Sequence, residues 1–196
     1  VAKIQLEKYG GYVIAYNGTT VVNCKTGECI YNQMVPGEIL SQVYNEAVKS
    51  GVAIAVYNDA AKEIIVGNGL NKYVELDAIA CDVAVRESND FVKTVNFGFN
   101  KILLSGEPDN MKNIEKHMLE MFGDKVNVFR SDPHFVELLP KYVDKGVAVE
   151  KLMRYLGINR EKVICVGDSI NDMSMLRYAG MGVAMGSAQD KVKQSA

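Results

Sequence analysis

The chain has 196 residues, 48% of them hydrophobic and 23% charged, which is enough apolar material for one large or two small domains with ordinary cores. A formal net charge of −2, with acids and bases interleaved, offers no basic face for nucleic acid or an anionic membrane. No apolar run approaches the roughly 20 residues that span a bilayer, so we expect a soluble globular protein acting on small ligands. Four cysteines, Cys24, Cys29, Cys81 and Cys165, form no CxxC pair; they fit packing roles in a reducing cytoplasm better than a disulfide framework.

Along the chain, YVIAYNG (12–18) reads as a strand stopped by Asn-Gly, and TTVVN, KTG and ECIYNQM as a hairpin bent at KTG. In PGEILSQVYNEAVKSG, Pro36 stands near the start, Gly51 at the stop, and Ile39, Leu40, Val43, Tyr44, Ala47 and Val48 recur at helical spacing. VAIAVYN and KEIIVG follow as strands, and YVELDAIACDV as a weaker helical stretch. NKILLSG is a strand, DNMKNIEKHMLEMFGD a helix with Met111, Ile114, Met118, Leu119 and Phe122 inward, and KVNVFRS and HFVELLP are paired strands. From Val143 the texture becomes strict alternation: helix (KGVAVEKLMRYLG), strand (VICVG), helix (NDMSMLRYAG), short strand (GVAM), helix (AQDKVKQ). That order predicts a parallel sheet covered by helices. The two textures predict two modules: an alternating one from residues 1–19 and 143–196, and a mixed one, 20–142, inserted into it.

Ligands of open parallel sheets bind at the carboxyl ends of the strands. Asp168 stands at such an end, after VICVG, and Asp172 follows four residues later, where two like charges are mildly unfavourable. A magnesium ion would reverse that cost. A helix cap by Asp168 or Ser169, with Asp172 in the first turn, explains the same residues equally well. Lys145 follows Asp144, the expected N-cap of a helix, so its cation lies near a positive helix end; a bound phosphate would offset this, and a solvated surface lysine is the plain alternative. His117 and His134 have no ligand spacing and no nucleophile partner, and the methionines at 111, 118, 121, 173, 175, 181 and 185 read as packing.

In order, YVIAYNG, VDKGVAVEKLMRYLGI, VICVGDSINDMSMLRYAG and MGVAMGSAQDKVKQSA resemble the haloacid dehalogenase (HAD) superfamily, and within it the Cof-type phosphatases with a C2-type cap. The resemblance implies an α/β fold: a HAD-like Rossmannoid parallel-sheet core, incomplete in this chain, with an inserted α+β cap domain at 20–142 that closes over the substrate. It implies Mg²⁺-dependent hydrolysis of a small phosphorylated metabolite, such as a sugar phosphate, through an aspartyl-phosphate. Lys145 matches the lysine that neutralises nucleophile and phosphate, Asp168 the magnesium ligand, and Asp172 the acid that orients metal-bound waters. Asn171 matches a residue touching the phosphate region, and Asn17 an asparagine that can face substrate.

Two departures stand out. Gly186, Ser187 and Ala188 replace the GNA common in relatives, and no Asp-x-Asp occurs among these residues, so the family's nucleophile motif is missing. The resemblance places that motif, the second motif and two core strands ahead of Val1. The chain is therefore expected to be a fragment, to fold poorly alone and to lack turnover. The competing functions are a non-catalytic ligand- or protein-binding module and a HAD-type phosphotransferase or mutase.

Overall fold

The computed structural model describes residues 5–196 and divides into two compact units, Val1–Gln33 with Tyr142–Ala196, and Met34–Lys141. The first stretch carries α1 (Leu6–Tyr9), β1 (Tyr12–Ala15), β2 (Thr20–Asn23) and β3 (Cys29–Asn32). Next come α2 (Leu40–Lys49), β4 (Ala53–Asn58), β5 (Glu63–Gly67), α3 (Lys72–Cys81), β6 (Ala84–Glu87) and α4 (Phe91–Thr94). The second unit ends with β7 (Ile102–Ser105), α5 (Pro108–Phe122), β8 (Val126–Asp132) and β9 (Phe135–Pro140). The chain then re-enters the first unit through α6 (Lys145–Leu156), β10 (Ile164–Gly167), α7 (Met173–Tyr178), β11 (Met181–Ala184) and α8 (Asp190–Lys193). No described helix is long and apolar enough to cross a membrane.

The unit Met34–Lys141 is a six-stranded sheet in the order β6-β5-β4-β7-β9-β8, antiparallel except where β5 meets β6. Alternation along β4 decides its layers: Ile54 and Val56 join the cluster filled from α2, α4 and α5, while Ala53 and Ala55 pack with Val74 and Ala78 of α3. On α5 the buried stripe is Met111, Ile114, Met118 and Phe122; Leu119, expected inward, is exposed because it lies one step round the helix from Met118. The short elements β6 and α4 escaped the sequence reading because four residues carry little periodicity.

Several polar groups in this unit pair with one another, although the buried His134 Nδ1 meets no hydrogen-bond partner among the described residues. Lys101 pairs with the buried Glu137 at 3.3 Å and lies over the Tyr57 ring, 4.6 Å from its centroid, and the Tyr57 hydroxyl donates to Asp77. Burial, reinforced by the Asp77 carboxylate, pushes the Tyr57 phenol far above its ordinary range. His117 binds Glu46 at 2.8 Å and His134 stacks on Tyr73, structural roles that agree with their lack of catalytic spacing.

In the other unit β1, β2 and β3 form an antiparallel sheet, and β10 and β11 a separate parallel pair with Val166 opposite Val183. The hairpin of β2 and β3 corrects the expected module boundary: it pairs with β1 from Tyr12↔Asn23 to Ala15↔Thr20, extending one antiparallel ribbon, and so belongs to this unit and not to the inserted one. The first four residues of the expected 1–19 segment lie outside the described residues. Ala148 and Leu152 of α6 pack on Val21, and Val149 joins Cys165, Met173 and Leu176, so α6 sits between the ribbon and α7.

The opposite face of the parallel pair is apolar and exposed, with Ile164 at 64% and Met181 at 58% of their full accessibility and Val166 and Val183 beside them. Parallel strands are ordinarily covered on both faces. Met121, Met181 and Met185, read as packing from spacing alone, are exposed here, as are Cys29 and Cys81; all four thiols are free.

The core of the inserted unit predicts an asymmetry between two apolar truncations. Leu104→Ala, at a fully buried β7 position, should cost about 3 kcal/mol. Ile79→Ser, on the exposed side of α3, should change stability by less than about 0.5 kcal/mol. Urea unfolding followed by far-UV circular dichroism compares them, and equal losses would contradict the assigned core.

Candidate active site

The site begins with helix starts. Asp144 caps α6, its Oδ1 accepting the Val147 amide at 2.8 Å, and Lys145 is the first helical residue. At the carboxyl end of β10, Ser169 and Asp172 form a capping box over the turn Ile170–Asp172 that leads into α7. Of the two caps expected here, Ser169 is the one at the N-cap position, with Asp172 in the first turn and Asp168 left exposed.

Asp172 is 5% exposed and both of its carboxylate oxygens are engaged. Oδ1 accepts from Lys145 Nζ at 2.5 Å, and Oδ2 accepts the amides of Asp168 and Ser169, each at 3.0 Å. Burial by itself raises the carboxyl pKa, but the Lys145 ammonium and the two amides outweigh it and hold the group below its ordinary value. The negative charge that would offset a lysine at a helix start is therefore already supplied by Asp172. Two glycines make this approach possible. A Cβ on Gly167 would stand 2.6 Å from Asp172 Cβ, and one on Gly146 would stand 2.7 Å from the Ser174 carbonyl. The Gly146 amide donates to Ser174 Oγ at 3.0 Å, joining the first turn of α6 to α7.

Asp168 Oδ1 accepts from Ser169 Oγ at 3.0 Å. Asn171 Nδ2 donates to Asn17 Oδ1 at 2.9 Å, across 154 positions of sequence. Asn17 stands in an unusual turn: Tyr16, Asn17 and Gly18 all have positive φ, at 49°, 54° and 109°. Asparagine tolerates that region; tyrosine rarely adopts it. Gly18 is required twice over, since a Cβ there would overlap the Asp144 carbonyl oxygen.

All five residues singled out from sequence thus fall in the unit formed by 1–33 and 142–196, with Lys145 joined to Asp172, Asn17 to Asn171, and Asp168 adjoining Asp172 through its amide. Gly18 was expected only as the turn after β1, and Gly146, Gly167 and Ser174 were not anticipated. A glycine beside a helix start or at a strand end was the available signal for Gly146 and Gly167; Ser174 gave none. Among the described residues no group of three or more His, Cys, Asp or Glu could hold a metal ion. Mg²⁺ commonly takes only one or two protein carboxylates, with waters and phosphate oxygens completing its shell, so exposed Asp168 fits as one ligand.

A family model for haloacid dehalogenase-like hydrolases matches residues 1–196. The chain belongs to this family. A haloacid dehalogenase-like hydrolase from Bacteroides thetaiotaomicron aligns with this HAD chain at TM-score 0.92 and 36% identity, over 100% of it and 73% of its own length. The HAD subclass IIB sugar phosphatase BT4131 shares the fold, with TM-score 0.79 at 24% identity over 100% of this chain and 72% of its own. The 5-amino-6-(5-phospho-D-ribitylamino)uracil phosphatase YcsE of Bacillus subtilis (strain 168) is 35% identical over 102 residues, 52% of this chain and 39% of YcsE. The α/β HAD-like fold and the family resemblance expected from sequence are both borne out.

The Asp172 environment gives a pH prediction. Folding lowers this carboxyl below its ordinary 3.8, so its stabilisation is complete above that pH and is lost as pH falls through the folded-state value. Asp172→Asn should therefore be least stable relative to wild type near neutral pH, with the gap closing below about pH 4. Urea unfolding at a series of pH values reads this directly, and a pH-independent gap would contradict it.

Proposed function

We propose that this HAD-family chain carries the cation and phosphate-handling half of a phosphomonoester hydrolase acting on a small phosphorylated metabolite, with sugar phosphates the leading class. The observation that carries the reading is the Lys145–Asp172 pair beside exposed Asp168 and Asn171 at the carboxyl end of parallel strand β10. The named activity of YcsE supports the same reaction class.

In this reading Lys145 offers its ammonium to phosphoryl oxygens while Asp172 holds it in place, and Asn171 donates its amide to the phosphate region. Asp168 is the magnesium ligand, and Asp172, whose oxygens are engaged by Lys145 and two amides, acts on the metal through water and through the loop it shapes. Mg²⁺ when bound supplies neutralisation of charge on the transferring group. The attacking aspartate, which would form an aspartyl-phosphate, has no Asp-x-Asp match among the 196 residues. It is contributed in this proposal by polypeptide outside them, and the 196 residues alone should show no turnover. The inserted unit, Met34–Lys141, is proposed as a C2-type cap that sets substrate choice. The four free thiols suit a reducing compartment such as the cytoplasm.

A panel of phosphorylated metabolites assayed for phosphate release with Mg²⁺, using the intact protein, tests the reading. Asp168→Ala should lower turnover by at least about 100-fold, and chelation should abolish it. Equal hydrolysis by wild type and Asp168→Ala would show the metal assignment to be wrong.

A further inference from the structure

We infer that Asn17 is a positioning residue whose carboxamide oxygen orients the Asn171 amide, and that the left-handed turn at Tyr16–Gly18 exists to deliver that oxygen. Three observations support this together. Asn171 Nδ2 donates to Asn17 Oδ1 at 2.9 Å, which commits one of its two amide protons and so fixes the plane of the Asn171 side chain. The backbone that presents Asn17 takes three consecutive positive φ values, two of them at non-glycine residues, an arrangement that persists only where surroundings enforce it.

The enforcing contact is visible. Gly18 packs so closely on the Asp144 carbonyl that no Cβ fits, and Asp144 is the cap of the helix that begins with Lys145. Thr19 then closes the turn, its amide donating to the Tyr16 carbonyl at 3.3 Å. One strained turn is thus braced against the Lys145 helix on one side and holds Asn171 on the other. A backbone held in this way gives up freedom before any ligand arrives, which is what pre-organisation requires.

The catalytic consequence rests on the proposed role of Asn171; the orienting contact does not. Two variants of the intact protein separate acceptor from backbone. Asn17→Gly tolerates the left-handed turn but lacks the acceptor, whereas Asn17→Asp keeps both an acceptor oxygen and tolerance of positive φ. In ¹⁵N-labelled protein, the hydrogen-bonded side-chain amide proton of Asn171 should be shifted away from its free-carboxamide position in wild type and in Asn17→Asp, and should return to that position in Asn17→Gly. With p-nitrophenyl phosphate and Mg²⁺, Asn17→Gly should lose about ten-fold in kcat with KM changed less than about two-fold. Asn17→Asp should recover kcat to within about three-fold of wild type.

An unchanged Asn171 signal in Asn17→Gly overturns the orienting contact whatever the activity shows. A signal returned to the free-carboxamide position with wild-type kcat overturns the positioning role. Should Asn171→Ala itself keep wild-type kcat, the failure belongs to the proposed function of Asn171, and the amide signals still report on the contact.

Discussion

The ion pair between Lys145 and Asp172 is the constraint on which the rest of the site depends. A nearly buried carboxylate is expensive unless its oxygens are paired and hydrogen-bonded, and here one oxygen meets the ammonium and the other two backbone amides. Removing Lys145 would leave the nearly buried Asp172 carboxylate without its cation, the costlier of the two losses, because the Lys145 side chain is 29% exposed and water can reach it. The pair forms only if the start of α6 can reach the loop after β10. That explains the glycine at 146 against Ser174 and the glycine at 167 against Asp172, neither position having room for a Cβ.

From that pair the geometry propagates outward. Fixing Asp172 fixes the capping box with Ser169, and the box turns the loop so that Asp168 is exposed while Asn171 meets Asn17. The turn at Tyr16–Gly18 closes the set, because Gly18 touches the carbonyl of the residue that caps α6. Three segments far apart in sequence, 16–18, 144–146 and 167–174, are thereby bound by contacts a few atoms wide. The chain belongs to a hydrolase family, and in the proposed function the arrangement supplies a fixed cation, an exposed hard ligand and an oriented amide at one strand end.

The inserted unit follows a different logic. Its sheet is antiparallel except between β5 and β6, with a large apolar cluster under α2, α4 and α5 and a smaller one under α3. Its charged groups answer one another, as Lys101 answers Glu137 and His117 answers Glu46. The first unit holds the residues with chemistry and also the exposed apolar face of β10 and β11, so the two units differ in how completely their own residues cover their own sheets.

Sequence by itself determined the elements with strong periodicity and the residue types of the site. The amphipathic spacing in α2 and α5, the alternating order from Val143 onward, the N-cap at Asp144 and the ordered Lys145, Asp168, Asn171 and Asp172 were all legible, because each is a local pattern of side chains. Only tertiary structure decided that Asp172 spends its oxygens on Lys145 and two amides, that Asn17 meets Asn171, and that the hairpin at Thr20–Asn32 extends β1 and stays out of the inserted unit. Those outcomes depend on which segments approach within a hydrogen bond or a missing Cβ of one another. Such proximity is a property of packing between elements, and no periodicity within one element encodes it.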